Sequence, residues 1–126
     1  MTNAQSVTPI LRIFDVEKAK EFYIDFLGFK LAFEHRFHDN APLYAGVLFS
    51  DCELHLSEHH GDISPGAHVR IQIDDVSGYT AALAAKKYKY ANPGEGEETP
   101  WGTVEVTIAD PFGNRLTFYQ ETTKTG

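Results

Sequence analysis

The sequence predicts an α+β fold in which one β-α-β-β-β unit occurs twice. Its first sign is a joint where a half-buried strand runs straight into a helix, Leu11-Arg12-Ile13-Phe14-Asp15-Val16, which returns sixty residues later as Ile71-Gln72-Ile73-Asp74-Asp75-Val76. In both copies apolar residues alternate, and an aspartate then stands where the helix must start. Asp15 and Asp75 suit that place: a carboxylate accepts from the unpaired first-turn amides and lies at the positive end of the helix dipole. The second sign is the match of Glu53-Leu54-His55-Leu56-Ser57 to Arg115-Leu116-Thr117-Phe118-Tyr119 at an offset of sixty-two, so that one small indel separates the copies. A period this long, present twice, indicates two equivalent supersecondary units and not a solenoid.

Taken in order, residues 1–6 read as a disordered tail and Val7 to Ile13 as the first strand. Pro9 cannot donate to a ladder, which puts that strand at an edge or a module boundary. After Asp15, the apolar residues Ala19, Phe22, Tyr23, Phe26 and Leu27 fall at helical spacing, and Gly28 offers the left-handed stop. Phe29 to Phe37 and Leu43 to Phe49 read as strands joined by a polar turn, and Cys52 to Ser57 as the hairpin partner of the second. The polar segment 58–66 is the module boundary.

The second unit opens with a strand from Ala67 to Ile73 and a helix from Val76 to Lys87, whose Lys86 and Lys87 suit the negative end of its dipole. A weak strand is expected over Tyr88 to Ala91. The breaker-rich stretch from Asn92 to Pro100 reads as irregular. Val104 to Ala109 and Asn114 to Gln120 form a hairpin around Asp110-Pro111-Phe112-Gly113, and six polar residues end the chain. The prediction is therefore a single domain, 1–126, with modules at 7–60 and 66–120.

Composition narrows the function. A chain of 126 residues is long enough for one real core, here split between two half-sized modules. One cysteine, Cys52, excludes an internal disulfide and a cysteine-based zinc site, which makes the cytoplasm the expected compartment. Cys52 itself reads as a small buried residue at a strand start. The polar N-terminus does not make a signal peptide, and no apolar run approaches the roughly 20 residues of a membrane helix, so no membrane partner is expected. The net charge of −7 argues against nucleic acid and favours a cationic ligand.

Strand alternation sorts the side chains onto two faces. Leu11, Ile13, Val69, Ile71, Ile73, Leu54, Leu56, Leu116 and Phe118 point towards the helices. Thr8, Ile10, Arg12, Glu53, His55, Ser57, His68, Arg70, Gln72, Arg115, Thr117 and Tyr119 point the other way. That face is either plain solvent-facing sheet or, if the sheet curls, the lining of a cleft.

With the doubled unit, Phe-Tyr-x-x-Phe-Leu-Gly-Phe at 22–29, Pro-Trp-Gly at 100–102 and Asp-Pro-Phe-Gly-Asn-Arg at 110–115, the chain resembles the glyoxalase, bleomycin-resistance and extradiol-dioxygenase (vicinal oxygen chelate) superfamily. The likeness spans about residues 7–120 and is greatest to the bleomycin-resistance-like branch. It implies an open, curved eight-stranded mixed sheet around a cleft with the helices outside, in a homodimer that often exchanges strands or modules between chains. Enzymes of the superfamily hold a divalent metal in the cleft. Their ligand positions fall here on Thr8, His55, His68 and Thr117, and a carboxylate normally stands where Thr117 is. Two neutral hydroxyls leave a metal short of protein ligands.

Three functional readings follow. The first is a metal-independent protein that sequesters a small cationic or aromatic molecule, a bleomycin-like antibiotic, with no cofactor and no chemical step. Its ligand contacts are His55, His68, Arg70, Glu105 and, above all, Trp101 beside Glu95, Glu97 and Glu98, where an indole stacks a flat group and the carboxylates hold a cationic tail. The second is a metalloenzyme (lyase, isomerase or dioxygenase) with one divalent ion on His55, His68 and Glu105. The third is an interaction module with no small ligand. Arg12 and Arg70 either clamp an anion or pair with Glu53 or Glu105. His59 and His60 read as exposed linker residues.

Overall fold

Residues 2–122 are described by a computed structural model of the chain; Met1 and residues 123–126, within the two expected tails, lie outside them. The first module runs β1 (Ile10–Arg12), α1 (Val16–Lys20, continued by a π-helical stretch Glu21–Phe26), β2 (Lys30–His35), β3 (Tyr44–Phe49) and β4 (Cys52–Ser57). The second runs β5 (His68–Gln72), α2 (Val76–Ala85), β6 (Glu97–Glu98), β7 (Thr103–Ala109) and β8 (Arg115–Glu121).

The eight strands form two mixed sheets of four, ordered β1-β4-β3-β2 and β5-β8-β7-β6. In each, the strand before the helix pairs in parallel with the last strand of its module: Leu11 lies opposite Leu56, and Ile71 opposite Phe118. The other pairings are antiparallel. A parallel pair needs a long crossover, which the helix and its following strands supply. β1 is an edge strand, and the Pro9 carbonyl just before it accepts from the His55 amide at 2.9 Å.

Both expected caps form. Asp15 accepts from the Lys18 amide at 3.0 Å, and Asp75 from the Gly78 amide at 2.9 Å. The first helix widens after Lys20, so that the Leu27 amide donates to the Phe22 carbonyl, and the wide turn places Phe22, Tyr23 and Phe26 in the core. Gly28, at φ +94°, ends it.

Three expectations are corrected. Tyr88 to Ala91 forms no strand, because Tyr88 instead stacks on Phe26 at 4.7 Å between ring centroids and donates to Glu21 at 2.8 Å. The fourth strand of the second sheet is Glu97–Glu98, inside the breaker-rich stretch; Gly96, with no Cβ, lets the backbone there approach Val76 and Val104. Cys52 is exposed, not buried, since its strand begins at a turn on the rim. A further difference concerns Lys86, whose ammonium donates to the Asp25 and Phe26 carbonyls at 2.9 and 2.6 Å and so closes the first helix, not its own.

One hydrophobic cluster, including Leu11, Phe22, Phe26, Leu54, Leu83, Leu116 and Phe118, lies on the helix side and draws on both modules. Polar bonds tie the modules around it. Tyr79 donates to the Leu27 carbonyl at 2.7 Å, and buried Tyr23 donates to Asp110 Oδ2 at 2.7 Å. Burial and the neighbouring Asp110 push the Tyr23 phenol well above its ordinary value, which keeps it a donor. Asn114, fully buried, donates to the Arg12 carbonyl and to Asp110 Oδ2, both at 2.8 Å, and accepts from the Ala67 amide at 3.1 Å. Asn114→Ala removes these bonds and should lower the unfolding free energy in urea by about 2–4 kcal/mol, since each buried partner left unpaired costs about 1–3 kcal/mol.

Candidate functional site

The polar sheet face is divided between the modules. On the second, β7 presents Glu105 at the centre of a connected set. Arg70, from β5, donates to both of its oxygens at 3.1 and 2.7 Å, and Thr103 and the Trp101 indole donate to Oε2 at 2.8 and 3.1 Å. The same guanidinium lies 4.4 Å from the Tyr119 ring centroid. These strands are neighbours through β8, so parity alone brings Arg70, Glu105 and Tyr119 to one face. The open choice for Arg70 thus resolves to a pair with Glu105.

This set holds Trp101 by its edge. The indole N–H is fixed by Glu105 while the ring remains 66% exposed, so its face is available for stacking. Beside it opens a cavity of about 510 Å3 lined by Glu95, Glu97, Glu98, Trp101 and Glu105 among others. The structure therefore gathers the three loop acids, the tryptophan and Glu105 in one place. Glu97 stands directly opposite Glu105 across the β6–β7 pair, where like charges repel. Arg70 offsets one of those charges; among the described residues no cation pairs with Glu95, Glu97 or Glu98.

The two histidines lie in different sheets and different networks. His55 Nδ1 faces the Tyr44 hydroxyl at 2.7 Å and Nε2 faces Glu53 at 2.6 Å. A carboxylate only accepts, so Nε2 carries a proton, and a neutral ring then accepts the Tyr44 O–H at Nδ1. Burial, with the Asp62 and Glu53 carboxylates, raises the Tyr44 phenol above its ordinary value. His68 Nε2 faces Thr117 at 2.7 Å, and Thr117, buried despite its place on the polar face, also meets Thr107 at 2.7 Å. Thr8 is exposed and precedes β1. A metal on His55, His68 and Glu105 does not fit: both His55 nitrogens and both Glu105 oxygens are engaged. Among the described residues no group of three His, Cys, Asp or Glu side chains is placed to hold an ion.

Sequence reasoning missed the aromatic neighbours of His55. The ring of Phe33, on β2, occupies the space where a side chain at Gly46 would stand, 5.2 Å from the ring of His55 and 6.3 Å from that of Tyr44. The available signal was Gly46 itself, a residue without a side chain in the middle of a strand, which often marks a close approach.

Hydrogen bonding from Arg70, more than from Thr103 or Trp101, holds the Glu105 carboxyl down at about 2, with burial acting in the opposite sense. The folded value lies below the ordinary 4.5, so the stability this contributes is full above that pH and is lost as pH falls through about 2. In a carbon-detected NMR titration the Glu105 carboxyl should show a midpoint near 2, moving up towards 4.5 in Arg70→Ala. A wild-type midpoint at the ordinary value would show the pair to be unformed in solution.

The chain matches a sequence profile described as glyoxalase superfamily protein over residues 2–125. Among solved structures it is similar to a glyoxalase/bleomycin resistance protein from Streptomyces sp. CB03234, at 26% identity and a TM-score of 0.72 over 90% of this chain and 97% of that one. An antibiotic binding protein from the same organism gives 25% identity and a TM-score of 0.77 over 96% of this chain and 98% of that one. A bleomycin-binding protein from bleomycin-producing Streptomyces verticillus, complexed with copper(II)-bleomycin, gives 28% and 0.68 over 94% and 97%. A search of curated proteins finds no match. With the repeated module, the two mixed sheets and the matching profile in agreement, this chain belongs to the glyoxalase superfamily, and its structural neighbours are glyoxalase/bleomycin resistance proteins of the vicinal oxygen chelate group.

Proposed function

We propose that this protein binds and sequesters a small molecule of the bleomycin-like class, cationic and with a flat aromatic part, without a metal of its own and without a chemical step. The observation that carries the reading is the acidic cavity beside Trp101, where Glu97 faces Glu105 and, among the described residues, only Glu105 is paired with a cation. A ligand cation there relieves the remaining repulsion while the exposed indole face stacks the ring. Relatives whose names record antibiotic or bleomycin binding, at 25% and 28% identity, support it. Among the described residues no helix is long and apolar enough to cross a membrane, and the proposed place of action is the cytoplasm.

Trp101→Ala should weaken binding of metal-free bleomycin several-fold in calorimetric titration, in line with roughly 0.5–2 kcal/mol for an aromatic contact of this kind. Changing Glu95, Glu97 and Glu98 to Gln should flatten the salt dependence between two ionic strengths, because their charge acts mainly by screened attraction. No heat and no Trp101 quenching with tens of micromolar ligand would sink the antibiotic reading and leave the family assignment intact.

The proposed working form is a homodimer. β2 is exposed along its length, with Leu31 and Phe33 uncovered at 44% and 39%, and among the described residues each sheet ends in unpaired edges. Light scattering at micromolar concentration should give twice the chain mass; a monomer would reject this assembly.

A further inference from the structure

We propose that the groove between α1, the turn after α2 and the β7–β8 hairpin is a second small-molecule site, one that takes an alkylated ammonium group. The groove is on the helix side of the molecule, encloses about 370 Å3 and shares no lining residue with the cavity at Trp101. That volume falls within the range of small-ligand pockets, about 300–1,000 Å3. Three segments far apart in sequence build it: Lys18, Glu21 and Phe22 from the first helix, Tyr88 and Tyr90 from the turn, and Asp110 with its neighbours from the hairpin.

Two tyrosine rings make an aromatic corner. Tyr88 and Tyr90 stand with centroids 5.6 Å apart and planes at 76°, so a rounded cation can touch both π-systems. Tyr88 is held in place by Phe26 behind it and by its own O–H donated to Glu21 Oε1 at 2.8 Å. Donation to a carboxylate polarises the phenol and enriches its ring in electrons, which strengthens attraction for a cation. Tyr90 is 67% exposed and contributes little packing. Its ring already draws the Lys89 ammonium to 4.9 Å, from outside the groove.

Charge points the same way. Among the lining residues Glu21 and Asp110 place two carboxylates against one ammonium, that of Lys18, while Lys89 lies on Tyr90 from outside. Asp110 is saturated by donors from Tyr23, Phe112 and Asn114 and acts through its field alone. Glu21 has one oxygen on Tyr88, and among the described residues the other accepts no bond. Glu21 and Phe22 also open the π-helical stretch, a geometry frequent at functional sites.

The test is an amide-shift NMR titration of the full chain with choline and, separately, with its uncharged carbon isostere, in which a tert-butyl group replaces the trimethylammonium. Choline should give saturable shifts at Glu21, Tyr88 and Tyr90 in the millimolar range, and the isostere should not. Tyr90→Leu, at an exposed position that leaves the fold intact, should weaken binding about five-fold. Glu21→Gln should weaken it too, Lys18→Gln should tighten it by removing the opposing charge, and Trp101→Ala should leave it unchanged. An equal response to the isostere, shifts centred on Trp101 instead of the groove, or weaker binding in Lys18→Gln would overturn the proposal. Because the bleomycin titration reads Trp101 and this one reads Tyr88 and Tyr90, failure of either site is seen apart from the other.

Discussion

The arrangement of the two modules depends on one buried polar pair, Asp110 and Asn114. Asn114 reaches the end of β1 through the Arg12 carbonyl and the start of β5 through the Ala67 amide, while Asp110 takes the Tyr23 hydroxyl from the first helix. Each of these groups would lose heavily by being buried alone. Together they are satisfied, and among the described residues no buried side-chain nitrogen or oxygen lacks a partner. The hydrophobic cluster supplies most of the driving force, but apolar contact is non-directional. The hydrogen-bonded pair, with the Tyr79 and Lys86 bonds to the end of the first helix, adds the directionality that sets where the two modules stand.

That constraint reaches the polar face through strand parity. With Leu116 and Phe118 fixed in the core, Thr117 and Tyr119 must face away, and the neighbours Arg70 and Glu105 with them. The Arg70–Glu105 fork fixes the carboxylate in place, and its Oε2 then accepts the Trp101 indole N–H and holds the ring by that edge. The matching face of the first module repeats the logic with other residues. There Glu53, His55 and Tyr44 form a chain, and Phe33 covers Gly46 beside it. Repetition of the backbone has not carried repetition of the chemistry: one face is acidic with an exposed indole ring, the other aromatic around an engaged imidazole.

The metal-ligand positions implied by the superfamily resemblance show the same divergence. Thr117 takes the His68 imidazole and the Thr107 hydroxyl as partners within the protein, and the His55 nitrogens are turned to Tyr44 and Glu53. A hydroxyl in a carboxylate's place removes the charge that would hold a dication. The space is used for internal hydrogen bonding instead.

The amino-acid sequence by itself determined the doubled unit, both aspartate caps, the glycine stop at Gly28 and the faces on which the residues of β1, β4, β5 and β8 lie, because these depend on periods of 2 and 3.6 and on contacts within a few residues. It also pointed to Trp101 and its acids, a large aromatic out of keeping with its loop. Only the tertiary structure decided the pairings between distant parts. Nothing local says that Lys86 closes the first helix, that Tyr88 leaves the sheet for Phe26 and Glu21, or that Glu97 and Glu98 add the last strand. Nor does any local pattern say that Asn114 reaches Arg12 across most of the chain, or that Arg70 chooses Glu105 over Glu53. Those outcomes turn on which donor and acceptor meet when two modules share one core, and that is fixed by packing in three dimensions.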